Sequence, residues 1–382
     1  MYTVLSLRAN HPKLLALVLA FLASFFHERL PAAEDNTSAR HLLYVAVPGV
    51  RDYLEYGGHG LLVFDIGNGH KFVKRIATLG LDETGRPLNV KGICASAATQ
   101  RLYISTIKQL MCLDLATEKI LWERKYDAGC DRMAITPDGK TIYLPSLEGP
   151  HWYVVDAQNG EVLRKIVTDS GAHNTICGLS GSFAYLAGLK SPLLRVVDAK
   201  TDSIKTVGPF SASVRPFTID GQEKRCYVNV NDLLGFEVGD LETGLKLHSV
   251  TVAGFQKGPT KRHGCPSHGI GLSPDEKELW LTDAFNSRVH IFDLAALPPK
   301  QLLSIELRDQ PGWITFSIDG KLAYPSTGEV IDTKTRQIVA SLTDEEGRPV
   351  QSEKMLDVYM RGPKATRIGD QFGLGRVQAA TK

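Results

Sequence analysis

The sequence predicts an all-β protein, a seven-bladed β-propeller whose first blade is closed by the C-terminal strand. Three observations lead there. An aromatic recurs in one type of strand as Tyr44, Tyr103, Tyr143, Tyr185, Tyr227, Trp280 and Tyr324. Its spacing, roughly 40–60 residues, is that of propeller blades. An acid closes the following strand as Asp65, Asp114, Asp156, Asp198, Asp293 and Asp332, with Glu237 or Asp240 standing in the fifth copy. Finally, a strand and a turn of the type TPDGK or SPDEK precede most copies of the aromatic.

The stretch 265–294, CPSHGIGLSPDEKELWLTDAFNSRVHIFDL, shows the unit whole. An apolar strand, Gly269 to Leu272, runs into a Ser273-Pro274-Asp275 turn, and a second strand carries Trp280. A polar loop over Asp283–Arg288 leads to a third strand ending on Asp293. Fourth strands follow in every copy, from KFVKRIAT to QIVASLT. Alternating short strands with Gly, Pro and Asp turns bury both faces only when sheets pack around a ring. First strands number six against seven copies of the rest, and residues 34–40 are too polar to supply the seventh. The unassigned strand Lys354–Tyr359 (KMLDVY) is expected to fill that place innermost in blade 1, leaving no free sheet edge.

The chain has 382 residues, 43% apolar and 23% charged, with net charge +2. That balance argues against nucleic acid as a partner, which calls for a concentrated basic surface. Arg8 and Lys13 precede an uncharged run, Leu14 to Phe26, and a polar exit, Pro31 to Ser38. The run falls short of the roughly 20 residues of a membrane span. It reads as a signal peptide ending near Ala33, or as an uncleaved anchor. The expected organisation is leader 1–33, linker 34–40, propeller 41–361 and tail 362–382. The expected location is periplasmic or secreted, with membrane contact only through an uncleaved leader, and the expected state is a monomer. Cys94, Cys112, Cys177 and Cys226 fall in apolar strands and read as buried; Cys130 and Cys265 fall in loops, where export would allow oxidation.

The segments HGIGLSPDEKELWLTDAFNSRVHIFDL and RMAITPDGKTIYLPSLEGPHWYVVDAQNGEVLRKI resemble the YVTN-type repeats of the YncE-like exported bacterial propellers. The resemblance spans residues 41–361 and implies fold rather than activity, because its residues are structural.

In such a ring the first strand of each blade lines the central channel, and the residues leading into it converge on one mouth. These are Lys91, Arg132, His173 with Asn174, Arg215, His268, Trp313, and Glu353 with Lys354. So many cations on one axis call for a counter-charge: a small anionic ligand such as a carboxylate, phosphate or sulfate, or internal partners such as Asp131, Glu353 and Asp283. The long blade-1 loop 48–60 contributes Arg51, Asp52, Tyr53, Glu55, Tyr56 and His59 to the same face. Glu148 with His151, Asn231 with Asp232, and Asn286 lie on equivalent loops. His263, Cys265 and His268 offer imidazole and thiol ligands to a divalent metal, with His173 or His59 available to complete the set, although no established metal spacing is present. There is no GxSxG elbow, HExxH or phosphate-binding Gly loop. The reading is a binding module taking a small anion or a protein partner at the mouth. The alternative is a propeller enzyme, a lactonase-like hydrolase or a metal- or quinone-using redox protein, at the same place.

Overall fold

The chain divides into a unit of residues 1–38 and one of 39–382. The computed structural model describes Met1, residues 39–260 and residues 262–375. The expected leader and most of the linker lie outside the described residues.

Seven antiparallel sheets form the blades of a β-propeller. Blades 2 to 7 each hold four strands in sequence order, within 90–125, 134–167, 172–207, 214–251, 270–306 and 314–341. Their innermost strands touch in succession around the ring. Blade 1 is assembled from both ends of the unit. Met355–Arg361 pairs antiparallel with Ala39–Val47, from Ala39 opposite Arg361 to Val45 opposite Met355. Gly60–Asp65 and Lys71–Ile76 complete that blade outward. Met355–Arg361 contacts the first strands of blades 7 and 2, so the ring is closed. Closure by the C-terminal strand is as the sequence predicts.

Two boundaries differ. The first strand begins at Ala39, inside the expected linker, because Ala39 and Arg40 find ladder partners in Arg361 and Met360. The expected tail is partly structure: Lys364–Ile368 forms a fifth strand on the inner side of blade 1. Residues 370–373 then cross the channel. Gln371 accepts a hydrogen bond from Ile93 N at 3.2 Å and donates to Met133 O at 3.2 Å. Leu272 N donates to Gly373 O at 2.7 Å, and Thr218 Oγ1 to the same carbonyl at 3.3 Å. The Trp313 indole N–H donates to Gln371 O. Phe372 and Leu374 join the apolar core of blades 3 to 5 and 7, both essentially inaccessible. One end of the channel is therefore plugged.

The repeated residues are structural. All seven aromatics are buried. Three of the acids closing the third strand accept from backbone amides two and three residues on: Asp114 from Ala116 and Thr117, Asp198 from Lys200 and Thr201, Asp332 from Lys334 and Thr335; Asp156 and Asp293 accept from the amide two residues on, Gln158 and Ala295. Asp240 does this in blade 5, from Glu242 and Thr243. Glu237 is instead buried against Lys246 and the Ser211 amide. All six cysteines are free and buried, including Cys130 and Cys265.

Candidate functional site

At the unplugged end, a cavity of about 140 Å³ opens between the starts of the inner strands. The short residue runs that lead into those strands fix its walls. Lys91, Arg132, His173, Arg215, His268, Glu353 and Lys354 all line it, as the sequence predicts, together with Arg51 from the blade-1 loop. Glu148 and Arg262 also face it.

Two buried carboxylates organise the charge. Asp131, fully inaccessible, takes His173 Nδ1 at 2.7 Å and Lys91 Nζ at 3.2 Å. Burial raises its pKa, but His173 and Lys91 outweigh that and hold it at about 2. Glu353 takes Arg132 Nη2 at 2.6 Å and Lys354 Nζ at 2.9 Å on Oε2, and His263 Nδ1 at 3.0 Å on Oε1. Burial opposes its ionisation too, and Lys354, His263 and Arg132 keep it well below the usual carboxylate range. Lys354 also donates to Gly49 O at 2.8 Å. Burial, with Arg132 and Lys91 close by, lowers its ammonium to about 7 despite Glu353.

Arg132 lies over the Trp313 ring, 3.5 Å from its centroid, a cation–π contact in a dry setting. Its Nη1 is buried and makes no hydrogen bond. Trp313 itself does not line the cavity. It sits beneath Arg132, held from the plugged side by Gln371.

Other cations lack acids. Arg51 donates to the Arg262 carbonyl. Arg215 donates to Asn231 Oδ1 and, at 3.2 Å, to Gly264 O. Among the described residues neither has a carboxylate partner. Arg262 does, with Nη1 2.7 Å from Asp309, while Nη2 donates to Tyr56 OH at 2.8 Å.

Several residues expected at the mouth are elsewhere. Tyr53 and Tyr56 pack beside Arg262, 6.0 and 5.2 Å from ring centroid to guanidinium, at the rim. Glu55 is exposed on a 3₁₀ turn, Leu54–Tyr56. His59 bonds Leu79 O at 3.0 Å, away from the cavity. Asp283 meets no mouth cation; it is paired within blade 6 with His290 at 3.1 Å and Asn286 at 2.7 Å. Of the residues expected as metal ligands, Cys265 turns away, its thiol against Ser267 O at 3.1 Å. His263 and His268 do meet, with Glu353 as the third member. Sequence reasoning missed Arg262, though it immediately precedes His263.

A scan against protein-family models and a search of curated proteins gave no match. Solved structures are similar in fold. The chain resembles "Dihydro-heme d1 dehydrogenase NirN in complex with DHE" with TM-score 0.60 at 15% identity, covering 86% of this chain and 72% of that one. It resembles the β-propeller domain of Cps50 (Swd1) from Myceliophteria thermophila with TM-score 0.56 at 11% identity, covering 73% and 95%. At these identities the likeness is one of fold, shared by an enzyme and a propeller of another kind.

Proposed function

We propose that the protein is an exported propeller module that binds a small anionic ligand, a carboxylate, phosphate or sulfate, in the mouth. One observation carries the reading: the cavity walls hold more cations than internal acids neutralise. Among the described residues Arg51 and Arg215 have only neutral oxygens as partners, and Arg132 keeps an unused donor. Guanidinium groups match the planar oxygens of carboxylates and phosphates. The plug behind Trp313 makes the cavity a blind cup, which suits capture rather than passage. The leader-like N-terminus supports export, and the PDGK and SPDEK turns support kinship with the YVTN-type propellers. Enzyme fusions to residues 1–38, assayed for transport, test the export claim.

Thermal unfolding in the presence of citrate, succinate, phosphate and sulfate tests the ligand claim. An anion at 100 times its Kd stabilises by about 2.7 kcal/mol. Arg215→Ala should abolish that gain. If no anion raises Tm, the small-ligand reading falls and a protein partner on the same face takes its place. The meeting of His263, His268 and Glu353 favours a second reading, an enzyme using a metal at this mouth. Lactone hydrolysis that depends on Zn²⁺ would support it.

A further inference from the structure

His263, His268 and Glu353 are buried at the floor of the mouth, with one ligand atom from each within 4.8 Å of the others. How each is held from behind is informative. His268 Nδ1 lies 2.8 Å from Gly312 O, so it carries the proton and Nε2 keeps its lone pair. His263 Nε2 faces Gln310 O at 3.4 Å, which leaves Nδ1 toward Glu353. Glu353 gives Oε2 to Arg132 and Lys354, which leaves Oε1. Metal-binding histidines and carboxylates are held in this way, by a carbonyl or a donor on the atom that does not ligate.

The gap between His263 Nδ1 and Glu353 Oε1 is 3.0 Å. That contact is an ordinary hydrogen bond from Nδ1 to the carboxylate, and a bound ion would take the place of its proton. Neighbouring ligands of one tetrahedral ion at bond lengths of about 2.0–2.2 Å stand about 3.3–3.6 Å apart, so binding would widen this gap slightly. Gly312 completes the arrangement: a Cβ there would stand 2.2 Å from His263 Cε1 and 2.4 Å from Glu353 Oε1. Only a glycine lets this carbonyl come close enough to orient His268.

We propose that His263, His268 and Glu353 form a divalent transition-metal site, with two imidazoles and one carboxylate as ligands and further positions open to the mouth. The donors suit Zn²⁺ and exclude Mg²⁺ and Ca²⁺, which need more oxygens. Arg132 and Lys354 on the same carboxylate repel any dication and lower its affinity, Zn²⁺ included. The site does not depend on the anion reading, although an anion in the cup would lie within reach of the open positions.

The test is calorimetric titration of the full chain, freed of metal by chelation, with Zn²⁺ and separately Mg²⁺, in a buffer without carboxylate or phosphate. One Zn²⁺ per chain and no Mg²⁺ is expected. His263→Ala and His268→Ala should each weaken Zn²⁺ by more than the roughly 10–100-fold that follows loss of a group behind a ligand. Cys265→Ser should leave affinity unchanged. Absence of Zn²⁺ binding, wild-type affinity in either histidine variant, or loss with Cys265→Ser overturns the proposal. Should the histidine variants unfold, the visible spectrum of the Co²⁺-loaded wild type decides. A thiolate band refutes this ligand set, and a nitrogen–oxygen spectrum upholds it. Zn²⁺ binding without any anion-induced stabilisation leaves this site standing and sinks only the anion reading; the reverse result does the opposite.

Discussion

Glu353 holds more of the mouth together than any other side chain there. Arg132, Lys354 and His263 all lean on one carboxylate that solvent barely reaches. Glu353→Gln keeps the shape and removes the charge, leaving two buried cations without compensation. Loss of one partner from a buried pair costs roughly 3–5 kcal/mol. Urea unfolding should show a loss of that size. His70 gives a pH test far from the mouth. Burial, helped by His41 and opposed by Asp65, lowers its pKa from 6.5 to about 4, and its Nε2 sits 3.2 Å from Tyr324 OH. The folded state therefore favours the neutral ring. Its contribution to stability is whole above pH 6.5 and is lost as pH falls toward 4, where the unfolded chain takes up the proton first. His70→Gln should flatten the fall of Tm across that window. At this scale the sequence indicated which residues converge, because their places in the repeat are fixed. It did not indicate that Asp283 would turn to His290, or Cys265 to Ser267, since those choices depend on side-chain direction inside loops.

The turn acids show what a repeat residue does for its element. Asp332 satisfies the amides of Lys334 and Thr335 and the Thr335 hydroxyl, fixing the hairpin into the outer strand. Replacement by Ala should cost about 1 kcal/mol, as loss of a comparable cap does. A single shift in thermal unfolding measures it. Blade 5 obeys the same rule through Asp240, which the sequence left level with Glu237; only the amides following Asp240 separate them. The segment 370–374 lacked strand periodicity and read as a tail. Its hold comes from single contacts, Gln371 with backbone and Phe372 with Trp313, which no pattern announces. Phe372→Ala should cost roughly 3–5 kcal/mol, the usual range for a buried aromatic. Chemical denaturation checks that value.

For the whole molecule, ring closure was legible because one strand was missing at one end of the sequence and one was left over at the other. The charge balance of the cup was legible in part: Asp131 and Glu353 were expected as internal partners and are, but which cations they would take was not, because Lys91, His173, Arg132 and His263 reach them from other segments. Burial of the thiols follows from the same closed packing. Ellman's reagent should find no reactive cysteine in the folded protein and six after denaturation.

The plug also sets an order of events during synthesis. Blades 2 to 7 are complete in sequence before residue 342, yet blade 1 has no inner strand until residues 355–361 arrive. Gln371 and Phe372 come later still. A ribosome must therefore release most of the chain as an open arc, with the first-made strand edge waiting for the last. Chains arrested before residue 355 would keep two sticky edges and an empty axle, and cellular proteases should clear them far faster than the finished ring.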